Sequence, residues 1–98
     1  MKIEKTLKGT DLTIALEGRL DTVTSPELEA ELARSLGGAQ TLTLDLAALE
    51  YISSAGLRVL LGAHKEMSAK GGLRLIHVSE IVREVLEITG LTDILTIE

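Results

Sequence analysis

The sequence predicts an α/β fold: a mixed β-sheet in the order β-β-α-β-α-β-α-β with helices packed on the sheet, all in one domain over residues 1–98. Three observations carry this expectation. Short leucine-rich and β-branched runs alternate with stretches whose apolar residues recur every three or four positions. Glycine pairs, Gly37-Gly38 and Gly71-Gly72, separate helical from strand-like segments. The chain is 45% hydrophobic and 26% charged over 98 residues, a globular balance with material for one core and no room for a second domain.

Taken in chain order, residues 2–7 and 12–17 read as strands around a turn at Gly9, Thr10 and Asp11, which gives an opening hairpin. Residues 18–24 read as a loop. Ser25 before Pro26 matches a capping hydroxyl followed by proline at the first helical position, and Leu28, Leu32 and Leu36 then form one stripe that ends at Gly37-Gly38. Thr41 to Leu46 reads as a buried strand, followed by a loop from about Ala47 to Ser53. From Ser54 onward, Leu57, Leu60, Leu61, His64 and Met67 trace a helical face as far as Gly71-Gly72. Leu73 to Val78 is a further strand. Ser79 caps a third helix whose Ile81, Val82, Val85 and Leu86 are expected to face inward, Gly90 stops it, and Ile94 to Ile97 closes the sheet. Strands joined through single helices must run parallel by right-handed crossovers, so only the first hairpin is antiparallel.

Composition narrows the function. The formal charge of −5 disfavours direct binding to DNA or RNA, whose recognition draws on Lys and Arg neutralising phosphates. Tyr51 is the lone aromatic residue, so no stacking platform for bases or sugars is expected. Without cysteine, disulfides, thiolate metal sites and Cys nucleophiles are excluded together, as suits a reducing cytoplasm. The first residues alternate charged and apolar side chains, unlike a signal peptide, and no apolar run approaches the roughly 20 residues of a membrane span. Neither G-x-G-x-x-G nor G-x-x-x-x-G-K-[ST] occurs, so no nucleotide cofactor is expected. His64 and His77 stand apart from one another and from any cluster of metal ligands, and Ser53-Ser54-Ala55-Gly56 is not a G-x-S-x-G elbow. A small enzyme with Ser54 as nucleophile would need a general base that the sequence does not show. Binding, rather than catalysis, is the expectation.

The informative stretch is Asp45 to Leu61, where a buried strand leads through a loop to two serines at a helix start. As structure, Ser54 reads as the N-cap and Gly56 as a site of close packing. The same position tolerates an added phosphate, which the helix dipole favours while the outer surface changes charge abruptly.

This stretch, Asp45-Leu46 through Tyr51 to Ser53-Ser54-Ala55-Gly56-Leu57, resembles the signature of the STAS domains, specifically the single-domain anti-sigma factor antagonists of bacteria. Gly18-Arg19-Leu20-Asp21 resembles the family's Gly-x-Leu-Asp after the second strand, and Ser79 to Leu91 its last helix with the Gly-Leu pair that follows. The resemblance implies that Ser54 is the phosphorylated serine. Ser53 stands where the best-known members carry Asp, so a second hydroxyl competes as acceptor. It further implies that Asp21, Ser53 and Ser54 lie together in a partner-binding surface; Arg58, four residues after Ser54, would sit one turn along the same helix face.

The function so implied is partner switching in the cytoplasm. The unphosphorylated chain would bind an anti-sigma factor, itself a serine kinase that supplies ATP and Mg²⁺, and so free a sigma factor. Phosphorylation would break that complex, and a phosphatase would restore it. The alternative use of such a domain is permanent docking in a membrane lipid transporter or a stressosome-like assembly.

Overall fold

The opening hairpin pairs β1 (Lys2–Lys8) with β2 (Asp11–Leu20) from Lys2 opposite Glu17 to Lys8 opposite Asp11. This computed structural model describes residues 1–98. Beyond the hairpin come β3 (Thr41–Ile52), β4 (Leu73–Ile76) and β5 (Thr96–Ile97), and the five strands lie side by side in sequence order, with β2 to β5 mutually parallel. Each parallel step moves one strand over in the same direction, so right-handed crossovers place α1 (Ser25–Ser35), α2 (Ser54–Ser68) and α3 (Glu80–Ile88) on one face. The alternation of side chains follows from that. Leu12, Ile14 and Leu16 of β2 and Leu42, Leu44 and Leu46 of β3 are buried beneath the helices, within a core of 24 apolar residues. Thr13, Ala15 and Glu17 point to the other face, which no helix covers.

The expected element order holds, and the differences lie at the element ends. β2 runs to Leu20 and β3 to Ile52, where the sequence suggested loops from Gly18 and from Ala47. Parallel pairing continues past the expected ends as far as Leu20 opposite Ile52, because two bulges absorb an extra β3 residue each, between Ala15 and Glu17 and between Gly18 and Arg19 of β2. The bulges break the in–out alternation, and Ala47 and Ala48 are both exposed in consequence. Gly18 lies between them at φ 104, a conformation that an L side chain strains to adopt.

Further differences concern the last third of the chain. β4 stops at Ile76 because His77 turns to φ 57, and Val78 is therefore outside the strand. Ile81, expected inward, is 60% exposed, since Val82 and Leu86 fill the contact with the sheet. Ile94 is also exposed and belongs to the turn before β5, which is only two residues long.

Candidate functional site

Asp21 and Ser53 follow the C-terminal ends of β2 and β3, Ser54 begins α2, and Arg58 lies one turn further along α2; the C-terminal ends of parallel strands are where α/β sheets gather their binding groups. The Ser53 amide donates to the Leu20 carbonyl at 2.9 Å, so the ends of β2 and β3 are tied together and Asp21 and Ser54 each lie one residue beyond the tie.

The cap of α2 is Ser53, not Ser54. Ser53 has an extended backbone (φ −99, ψ 175), its Oγ accepts from the Gly56 amide at 3.4 Å, and its carbonyl accepts from Leu57 N–H at 2.9 Å. Ser54 is the first helical residue and is exposed, with no hydrogen bond from its hydroxyl. The expectation assigned the cap one residue too late, because two adjacent serines are equivalent as sequence and only the φ/ψ change separates them. Gly56 brings this helix start against the sheet: a Cβ there would lie 2.8 Å from Leu20 Cγ and 2.9 Å from Ile52 Cγ1.

Asp21 has a structural part that sequence reasoning did not foresee. Its Oδ1 accepts from the amides of Val23 and Thr24, both at 3.0 Å, while its own amide donates to Thr24 Oγ1 at 2.9 Å. Thr24 Oγ1 in turn donates to the Arg19 carbonyl at 2.7 Å. This reciprocal pair precedes α1, whose hydroxyl cap was expected at Ser25. Ser25 is instead buried inside the first turn, where its Oγ and its amide both donate to the Asp21 carbonyl. The Asp-x-x-Thr spacing was the available signal. Hydrogen bonding from Thr24 holds the Asp21 carboxyl below the usual carboxylate range. Its second oxygen, Oδ2, faces the Arg19 guanidinium at 3.8 Å, and that guanidinium stacks 4.3 Å from the centroid of the Tyr51 ring. Asp21 is thus about one-third exposed, with one oxygen holding the loop and the other turned outward.

Two neighbours complete the edge. Val23, at the tip of the Asp21–Thr24 loop, is 81% exposed, an apolar side chain held out to solvent by the hydrogen bonds at its base. Arg58 is exposed on α2 and makes no ion pair within the chain; with Ser25, Pro26, Glu29 and Ala55 it lines a shallow depression between α1 and α2. Neither serine meets a histidine. His77 Nδ1 lies 2.9 Å from Asp45 Oδ1, which holds the Asp45 carboxyl below its ordinary range, and His64 is half-buried along α2. No three His, Asp or Glu side chains converge as metal ligands would.

One edge of this small α/β module therefore carries the Ser53 and Ser54 hydroxyls, one outward carboxylate oxygen of Asp21, the Arg58 guanidinium without an ion pair in the chain, and the exposed Val23. The chain belongs to the STAS domain family, whose family model matches residues 2–98. It is 42% identical over 85 residues to BtrV of Bordetella bronchiseptica, provisionally named an anti-sigma factor antagonist, covering 85% of this chain and 73% of that one. It is 32% identical over 88 residues to the anti-sigma-B factor antagonist of Bacillus subtilis, covering 89% and 81%. Its fold is like that of the Bacillus cell-fate determinant SpoIIAA, solved in the phosphorylated form (TM-score 0.76, 22% identity, 99% of this chain and 91% of that one).

Proposed function

We propose that this chain is an anti-sigma factor antagonist that works by partner switching in the cytoplasm. Unphosphorylated, it binds an anti-sigma factor of the serine-kinase class through the edge formed by Asp21, Ser53, Ser54 and Arg58, and so releases a sigma factor. Phosphorylation of Ser54 by that kinase ends the complex, and a phosphatase returns the chain to its binding form. It carries out no chemistry of its own and touches no nucleic acid directly.

One observation carries this reading. Ser54 is the exposed first residue of α2, one place beyond the residue that caps the helix. A phosphoryl group on Ser54 therefore leaves the cap in place and is favoured by the helix N-terminus, while it adds about −1.5 to −2 charges to the docking edge. Burying that charge against a partner built for a neutral hydroxyl costs several kcal/mol, on the order of what holds a micromolar complex together. Ser53 is half-buried and engaged as the cap, which favours Ser54 as the acceptor. The names of the relatives, two of them anti-sigma factor antagonists, support the same reading.

The test is incubation with ATP and an anti-sigma factor kinase encoded in the same genome, followed by peptide mass mapping. Phosphate on Ser54, lost in Ser54→Ala and retained in Ser53→Ala, supports the proposal. Phosphate confined to Ser53, or none, overturns it.

A further inference from the structure

α3 carries an apolar surface that the fold does not use. Its contact with the core is made by Val82 and Leu86, with Val85 half-buried beside them. Ile81 is nevertheless 60% exposed and Ile88 83% exposed, and in the following turn Ile94 is 51% exposed. These are three of the five large apolar side chains that the whole chain leaves in solvent. Seven residues are close to two helical turns, so Ile81 and Ile88 share a face about 10 Å apart, with Val85 between them. A solvent-facing helix position gains nothing from a β-branched apolar residue, whose side chain also loses rotamer freedom there. Two such residues in line mark a surface that is covered at some stage.

The flank of this ridge states what covers it. Glu80, Glu84 and Glu87 line a shallow groove on α3 together with Arg83, and none of the four takes part in an ion pair within the chain. Like charges one turn apart repel one another, and here the only local relief is a single arginine. A second copy is a poor occupant, because an isologous contact would set acidic flank against acidic flank in a chain of net charge −5. We infer that the Ile81–Val85–Ile88 ridge of α3 is a second docking surface that takes a basic amphipathic helix of another protein, its apolar stripe on the isoleucines and its Lys or Arg side chains over Glu80, Glu84 and Glu87. None of these residues is among Asp21, Ser53, Ser54 and Arg58, and a partner held on α3 is expected to stay bound while Ser54 cycles.

The probe is a synthetic 14-residue helical peptide with leucines on one face and lysines on the other, titrated into ¹⁵N-labelled full chain and followed by amide chemical shifts. The expected result is saturable shifts confined to residues 80–95. Affinity then falls at least tenfold in Ile81→Ser/Ile88→Ser, loses most of its salt dependence in Glu80→Gln/Glu84→Gln/Glu87→Gln, and is unchanged in Ser54→Asp. All the substituted side chains are exposed, and circular dichroism checks that each variant folds. Shifts centred elsewhere, or an affinity unaffected by the isoleucine changes, overturn the inference. So do shifts in the same residues that grow with chain concentration in the absence of peptide, which would make a second copy the occupant.

Discussion

The Ser53 amide donates to the Leu20 carbonyl at 2.9 Å and so ties the end of β2 to the start of α2. The bond extends the β2–β3 ladder to its last pair and so fixes the Asp21 loop beside the start of α2. Four consequences can be measured.

Asp21→Ala removes the acceptor of the Val23 and Thr24 amides, and the melting temperature is expected to fall by several degrees. Asp21→Asn keeps an oxygen at the Oδ1 position and loses the charge, so it should fall by less while weakening the kinase partner about fivefold or more. An unchanged melting temperature in Asp21→Ala would show that the loop stands without its carboxylate.

Gly56 and Gly62 lie on the same helix and should respond in opposite directions to alanine. At Gly56 the new methyl meets Leu20 and Ile52, and the overpacking costs about 1–3 kcal/mol. At Gly62 nothing lies within 4 Å, so alanine should stabilise by roughly 0.5–1 kcal/mol through helix propensity. Urea denaturation of the two variants decides it; equal responses would contradict the close approach of α2 to the sheet.

Exchanging the serines separates cap from switch. Ser53→Ala loses the Gly56 amide's acceptor and should cost about 0.5–1 kcal/mol, at the low end for a cap because the bond is 3.4 Å long. Ser54→Ala should leave stability unchanged and abolish phosphorylation. The reverse pattern would return the cap to Ser54.

Acid sensitivity has a defined sign. Asp21, Glu31 and Asp45 all titrate below the ordinary carboxylate range in the folded chain, through hydrogen bonds from Thr24, from Lys5 and from His77 respectively. Each therefore contributes stability that is fully present above the ordinary carboxylate range, at about pH 5 and higher, and is lost as pH falls through the lowered folded value. Urea midpoints should decline from pH 5 to pH 3, and the decline should be shallower in Asp45→Asn. A midpoint that rises on acidification would contradict these pairings.

Much of the fold was readable because the helical and strand periods differ and glycine pairs separate them. The element order needed nothing more. The ends of β2 and β3 were hidden because bulges break the alternation on which strand reading depends: Ala47, Ala48 and Glu50 face solvent within a strand that runs on through two bulges. Asp21 and Ser54 could be placed together from the family resemblance, and the Asp-x-x-Thr spacing signalled the bonds that commit one oxygen of Asp21 to Val23 and Thr24, but the division of labour between Ser53 and Ser54 depends on backbone angles that residue types do not encode. Ile81 was misplaced because the apolar arc of α3 is wider than the surface it covers.

The central claim is that a phosphoryl group on Ser54 switches the docking edge off. It is tested most directly by isothermal titration of an anti-sigma factor kinase from the same genome with this chain, unmodified and stoichiometrically phosphorylated on Ser54. The unmodified chain should bind in the micromolar range or tighter and the phosphorylated chain at least a hundredfold more weakly, with their melting temperatures within a few degrees of each other. Equal affinities for the two forms would contradict it.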